Sequence, residues 1–391
     1  MVSLAAFVIP LLALWIWLPV AGLSLRLRVL AVLLTTVLGG LPAVLLRLLQ
    51  AGAMDYTTIA RLQVPGGWVL ATLLLVVLWL LLRDGLWLVL RLAGQRARAQ
   101  RLHALRLHAG VLALAMLTSG AGVWLALQPP QVREQALYLP TLPPQLDGLR
   151  VAVLADIHAS PVNDRAYVQT VVDRTLASHP DLIVMPGDMV DGSVADTGPE
   201  VAPLAQLTAP LGVWAAPGNH EYYSGYDAWM AHLRGLGLNI LANQAQRIDA
   251  RGTHFALSGI GDPVFGRTSH NNRDPRTPEG VPPDVASVAQ QAKAMQAPFH
   301  LLLAHQPKFA RDNAAHGVGL QISGHTHGGL ILGMDRWLVA PANNGFVRRD
   351  YGVNGMRLFV SAGAGLWAGF AVRLGVPSSI DLLVLRAGTA P

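Results

Sequence analysis

The 391-residue sequence contains no cysteine, which excludes a disulfide scaffold and thiol chemistry and is neutral about compartment. Charge is also scarce. Only 13% of the residues are Asp, Glu, Lys or Arg, against about 25% in a typical soluble domain. That shortage excludes a wholly soluble chain, and the 52% hydrophobic content excludes extensive disorder. No internal repeat or low-complexity tract is present. Acidic residues are rarest in the first part. Residues 1–149 hold 11 Arg but only Asp55, Asp84, Glu134 and Asp147, leaving 18 of the 29 basic and 19 of the 23 acidic residues for 150–391. The pI of about 10.0 is therefore a property of the N-terminal part. The remainder is near neutral, so no nucleic-acid partner is expected.

Four apolar stretches are long enough to cross a bilayer, which takes about 20 residues with few charges: Leu4–Leu23, Val29–Leu46, Val64–Leu82 and Ala109–Leu127. The first lacks the basic start and small-residue cleavage site of a signal peptide. Arg83 and Asp84 follow the third, and the cost of charge in hydrocarbon places them at the interface rather than in an intramembrane pair. Arg26 and Arg28 lie in the first loop, and Arg91, Arg96, Arg98, Arg101 and Arg106 in the third. The positive-inside rule puts both loops in the cytoplasm, and both termini and everything after Leu127 outside an inner (plasma) membrane.

Residues 128–148 contain five prolines and read as an extended linker. From Leu149 the pattern changes. Short apolar runs (Leu149–Ala155, Leu182–Met185, Val213–Ala216, Phe255–Ile260, His300–Ala304, Leu320–Ser323, Leu358–Ser361 and Ile380–Leu385) predict buried strands. Arg165–Ala177, Tyr226–Leu236 and Asp284–Met295 predict helices between them. The alternation implies a layered α/β domain. Three parts result: 1–127 with four transmembrane helices, a linker at 128–148, and an α/β domain at 149–391.

Five of the strands end in metal-competent side chains: Asp156-Ile-His158, Gly187-Asp188-Met-Val-Asp191, Gly218-Asn219-His220-Glu221, His305, and Gly324-His325-Thr-His327. Any one of these could be a turn residue or helix cap. Five together are hard to explain by turns, and the ends of strands in α/β sheets are where sites form. The set of Asp156, His158, Asp188, Asn219, His305, His325 and His327 offers oxygen and nitrogen without sulfur, which suits Mn, Fe, Zn or Co. With one carboxylate shared, it supplies two ions with four donors each. Such a pair suits in-line displacement at phosphorus, with metal-bound hydroxide as nucleophile and a nearby acid for the leaving oxygen.

These motifs, in this order, resemble the calcineurin-like metallophosphoesterases, and the resemblance covers about 150–390. The opening DGLRVAVLADIH and the ending GHTHGG are similar to the bacterial membrane-associated branch, some of whose members cleave lipid-linked substrates such as UDP-diacylglucosamine. The resemblance implies a two-sheet α/β sandwich. One divalent ion would be held by Asp156, His158, Asp188 and His327, and a second by Asp188, Asn219, His305 and His325. It further implies His220 as general acid or stabiliser of the leaving oxygen, oriented by Asp191. Glu221 would support the site or lie on the surface. Two departures stand out. Ala155 replaces a frequent Ser, and the 361–364 stretch (SAGA) lacks an Arg common in relatives, so phosphate recognition is not carried over from them.

The remaining histidines of the domain (His179, His232, His254, His270, His300 and His316) are read as surface or packing residues. His270 lies in a polar insert, 262–283, with Arg267, Arg273 and Arg276, read as a solvated loop or a cationic lid. The apolar stretch 365–376 is read as core, or as a membrane-facing loop carrying Trp367 and Phe370. The expected function is a membrane-anchored, dinuclear phosphoesterase acting on a phospholipid or glycolipid phosphate of the envelope. The alternatives are a hydrolase of soluble phosphodiesters or nucleotides that uses the helices only as an anchor, and a non-enzymatic membrane sensor.

Overall fold

The structure, a computed structural model, describes residues 2–50, 53–266, 279–367 and 370–389. It divides into two units, 1–126 with 368–374, and 127–367 with 375–391. Arg267, His270, Arg273 and Arg276 lie outside the described residues.

The first unit contains α1 (Val2–Trp17), α2 (Leu25–Gln50), α3 (Tyr56–Leu92), α4 (Arg96–Arg101) and α5 (Leu105–Ala126). Asp55 caps α3 by accepting from Thr58 N–H at 2.8 Å. The outward faces are apolar: Leu82 is 69% and Leu117 73% exposed, as suits lipid rather than water. Inside, Thr72 and Ser119 join α3 to α5 through a hydrogen bond between Oγ1 and Oγ at 2.7 Å. Among the described residues, only α2, α3 and α5 are long and apolar enough to span. The expected span at Leu4–Leu23 is corrected: α1 stops at Trp17, ahead of Pro19, and its 16 residues reach only about 24 Å against a hydrocarbon core of about 30 Å. Arg83 and Asp84 do not end the third helix either, because α3 runs on to Leu92. Arg83 Nε donates to Asp84 Oδ1 at 2.7 Å, and Trp15 Nε1 donates to Asp84 Oδ2 at 2.7 Å, so the acid is satisfied inside the helical unit.

The second unit is built from β1 (Gln131–Leu139), β2 (Arg150–Val153), β3 (Leu182–Met185), β4 (Val213–Ala215), β5 (Asn239–Ile240), β6 (Gln244–Ala250), β7 (Thr253–Gly259), β8 (His300–Leu303), β9 (Leu320–Ser323), β10 (Arg349–Val353), β11 (Met356–Val360) and β12 (Ser379–Ala387). They form two six-stranded sheets, ordered β1-β12-β2-β3-β4-β5 and β10-β11-β9-β8-β7-β6. The sequence sets these faces by alternation. Val151 and Val153 join Leu301, Leu303, Leu320 and Ile322 in the core between the sheets. Ala152 and Leu154 face the other way, against Val168, Val171 and Val172 of α6 (Arg165–Ala177) and Trp229 of α7 (Tyr226–Gly235). On the outer side of the second sheet, Leu302, Leu358 and Val360 cluster with Val288 of α8 (Val285–Ala294).

The expected linker is shorter than 128–148, because β1 pairs along its whole length with β12, Gln131 opposite Ser379 through Leu139 opposite Ala387. Its charged residues sit on an edge strand, where they need not be buried. The 365–376 stretch is also not core of the α/β unit throughout. Residues 368–374 belong to the helical unit, where Ala371 packs on Gly67 and Arg373 N–H donates to Gly122 O at 3.0 Å. Phe370 is half-buried there, and Trp367 is exposed on the α/β unit.

Candidate metal centre

The parallel strands β2, β3 and β4 of one sheet and β8 and β9 of the other end at the ligand motifs. The chain turns back sharply at these ends. Asp156, His158, Asp188, His325 and His327 all have positive φ, between 46° and 72°. Each such residue costs about 1–2 kcal/mol without a glycine, and such strain collects at functional sites. The neighbouring glycines serve the close approach of one ligand loop to another. A Cβ on Gly187, at φ 110°, would lie 2.5 Å from Gly218 N and 2.9 Å from His305 Nδ1. They let the two ligand loops touch. Gly218→Ala, whose Cβ would lie 2.5 Å from Asp188 N, is therefore expected to abolish tight metal binding, read by metal content after gel filtration.

Three triads of donors meet here, Asp156–His158–His327, His158–Asp191–His220 and Asp188–His305–His325, each with its ligand atoms within 4.8 Å of one another. Asp188 is central. Its Oδ2 lies 3.0 Å from His305 Nε2, 3.9 Å from His158 Nε2 and 4.0 Å from His220 Nε2, while Oδ1 accepts from His220 N–H at 2.8 Å. Asn219 Oδ1 lies 2.8 Å from His325 Nδ1. All seven expected ligands are thus drawn to one place.

The donor set fits cations. His305 Nδ1 faces the Pro186 carbonyl at 3.0 Å, which can only accept, so Nδ1 donates and Nε2 is turned to Asp188. Only a proton or a cation can close that gap. Asp156 Oδ2 is buried with no hydrogen-bond partner. His158 Nδ1 is taken by Asp191 Oδ1 at 2.9 Å, and its Nε2 lies 3.0 Å from His327 Nε2, two ring nitrogens converging on one point. Metal-free, protons fill this role. Burial opposes charge on His305, but Asp188 overcomes it and holds the ring at about 10. Burial drives His325 the other way, down to about 3. Loading a divalent ion must displace the His305 proton. We expect about one proton released per chain at neutral pH, and affinity that weakens as pH falls, measured by calorimetry in buffers of different ionisation enthalpy.

Asp191 Oδ1 also holds His220, its Nδ1 at 2.5 Å. Burial penalises its charge, but His158 and His220 together keep Asp191 ionised, well below the usual carboxylate range. The His220 side chain is 20% exposed, whereas those of His158 and His305 are fully enclosed.

Glu221 is fully buried, which corrects the surface alternative. Its carboxylate accepts from Asp188 N–H at 3.1 Å, Met189 N–H at 2.6 Å and Gly218 N–H at 2.6 Å, tying two ligand loops together. Two supporting residues escaped the sequence. Asn163 Nδ2 reaches the carbonyls of Ile157, His158 and Leu366 at 2.8–3.0 Å. Asp262, in the part of the polar insert that is described, is buried and accepts from Gln306 Nε2 at 2.8 Å beside His305. Asn163 carries no motif. Asp262 does follow a predicted strand, as the ligands do, and that was the available signal. Among the other histidines, buried His300 bonds Ser258 Oγ at 2.6 Å, a packing role.

The fold and this cluster define a metal-dependent phosphoric ester hydrolase. Residues 149–329 match the calcineurin-like phosphoesterase family. The chain is 32% identical over 314 residues to a bovine transmembrane protein with metallophosphoesterase domain, covering 77% of this chain and 67% of that one. It is 30% identical over 266 residues to an uncharacterized metallophosphoesterase of Helicobacter pylori, covering 68% and 66%. The alignments span about two thirds of those relatives' length. A 5'-nucleotidase precursor from Thermus thermophilus superposes with a TM-score of 0.39 at 17% identity, covering 60% of this chain and 54% of that one. The chain belongs to the calcineurin-like phosphoesterase family.

Proposed function

We propose that this is a membrane-anchored hydrolase of a lipid-linked phosphate or diphosphate ester in the envelope, working with two divalent ions. The observation that carries the dinuclear reading is Asp188, whose Oδ2 stands within 4.0 Å of ring nitrogens from both sheets. Asp156, His158, Asp188 and His327 would hold one ion, and Asp188, Asn219, His305 and His325 the other. Bound there, Mn, Fe, Zn or Co would supply Lewis acidity, activating water and neutralising phosphate oxygens. The protein's own groups then divide the rest. Asp191 fixes the His220 ring. Burial disfavours charge on His220, but Asp188 and Asp191 hold it at about 9, protonated at neutral pH and fit to protonate a leaving oxygen. Lys308, on the turn after His305, acts electrostatically on His325 and would offer the substrate phosphate a cation that 361–364 lacks. Lys308→Ala is expected to raise KM about tenfold with little change in kcat, measured by steady-state kinetics.

The lipid-linked reading rests on the three membrane-length helices in the same chain. The positive-inside rule, applied to the Arg of 91–106, supports a catalytic unit outside the inner membrane. With α1 not spanning, the N-terminus moves to the cytoplasmic side. The test is the full chain in nanodiscs, assayed on phosphatidic acid and on a water-soluble aryl phosphodiester. A preference for the lipid supports the proposal. No preference supports a soluble substrate, with the helices acting only as an anchor.

A further inference from the structure

Beyond residue 128, five large apolar side chains stand exposed among the described residues: Phe309, Leu332, Trp337, Leu338 and Trp367. All lie on chain that leaves the metal centre. Phe309 comes just after His305, and Leu332, Trp337 and Leu338 come after His327. Trp367 follows the loop in which a Cβ on Gly363 would stand 3.0 Å from Asp156 Cβ. The middle group is the most exposed, with Trp337 at 80%, Leu332 at 63% and Leu338 at 57%.

This segment has a fixed base. Buried Asp335 accepts from Gly333 N–H at 2.8 Å and pairs with Arg348 at 2.7 Å. Arg348 Nη1 also donates to Gly328 O, beside His327, at 2.7 Å. Ile331 bridges to Gly375. A Cβ on Gly329 would lie 2.8 Å from Asp335 Cα, so the segment sits directly on the ligand turn. An anchored loop that displays Trp and Leu beside exposed Arg336 has the composition of an interfacial membrane segment. The chain itself supplies the occupant. It carries three membrane-length helices, and only residues 127–130 separate the end of α5 from β1, a reach of about 15 Å. The bilayer surface is thus held at high effective concentration, which no diffusing partner matches.

We infer that residues 330–342 form a membrane-docking hook: Leu332, Trp337 and Leu338 enter the interfacial layer, Arg336 meets lipid phosphate, and the mouth of the metal centre is held against lipid. The docking stands independently, whereas its consequence for substrate entry rests on the lipid-linked reading above.

The absence of cysteine makes the test direct. Full-length Trp337→Cys and Asp249→Cys are labelled with an environment-sensitive fluorophore in nanodiscs containing nitroxide lipids. Asp249 is an exposed control near the opposite end of β7 from the metal centre. The hook requires blue-shifted emission at 337 and quenching at least about twofold stronger than at 249. Water-like emission with equal quenching at both positions overturns it, and leaves a protein partner or plain exposure as the explanation. In a second arm, the Trp337→Ser, Leu338→Ser double variant should lose about tenfold in kcat/KM on phosphatidic acid in the nanodisc, with the aryl phosphodiester unaffected. Strong quenching at 337 without a lipid-specific loss would keep the docking and sink the lipid-linked substrate.

Discussion

Asp188→Asn is expected to lower phosphoester hydrolysis by about 10³-fold or more, the loss that follows when several kcal/mol of metal-based charge stabilisation disappears. The reason is positional. Asp188 Oδ2 is the oxygen nearest to His305 and also faces His158 and His220, so no other side chain can serve both halves of the centre. Folding should suffer as well. Burial opposes charge on Asp188, but His305, His220 and His158 hold its carboxyl well below the usual carboxylate range. Asn at this position leaves those buried rings without a counter-charge. The variant should therefore unfold in chelator below the wild-type temperature, and gain nothing from added metal. Thermal melts with and without Mn, paired with steady-state assays, read both effects. A variant that melts with the wild type in chelator would mean that Asp188 is not the counter-charge of His305 and His220.

His220→Asn is expected to cost about 10²–10⁴ in kcat on an alkyl phosphoester while metal content stays at the wild-type level. The loss should shrink for an aryl ester, whose leaving oxygen needs little protonation. Equal losses on both substrates would assign His220 to binding rather than proton transfer. The pH profile gives a second reading. A group held at about 9 donates its proton only below that value, so activity should fall as pH rises through an alkaline limb. Divalent ions sharing the charge of Asp188 lower the limb below 9, and His220→Asn removes it.

Much of this centre was legible because its chemistry sits where strands end, and strands are legible as short apolar runs. β2, β3, β8 and β9 are four-residue stretches with every residue largely enclosed, so their pattern carries over directly from hydropathy. Strands with wet faces were not legible. β1 (QVREQALYL) and β6 (QAQRIDA) carry charges on edge positions, and nothing local separates such a segment from a linker. Glu221 shows the same limit within the site. Its neighbours in the motif place it close to the ligands, but the two backbone N–H partners from the Asp188 loop come within reach only after folding. The first helix failed for a simpler reason: hydropathy averaged across Pro19 joined an apolar helix to an apolar turn.

The central claim is that seven side chains from two sheets hold two ions across Asp188. Anomalous X-ray diffraction from the Mn-loaded full-length protein, collected at the metal edge, tests it most directly. The account requires two peaks about 3.5–4 Å apart, one on each side of the Asp188 carboxylate. A single peak, or two that leave Asp188 uncoordinated, would contradict it.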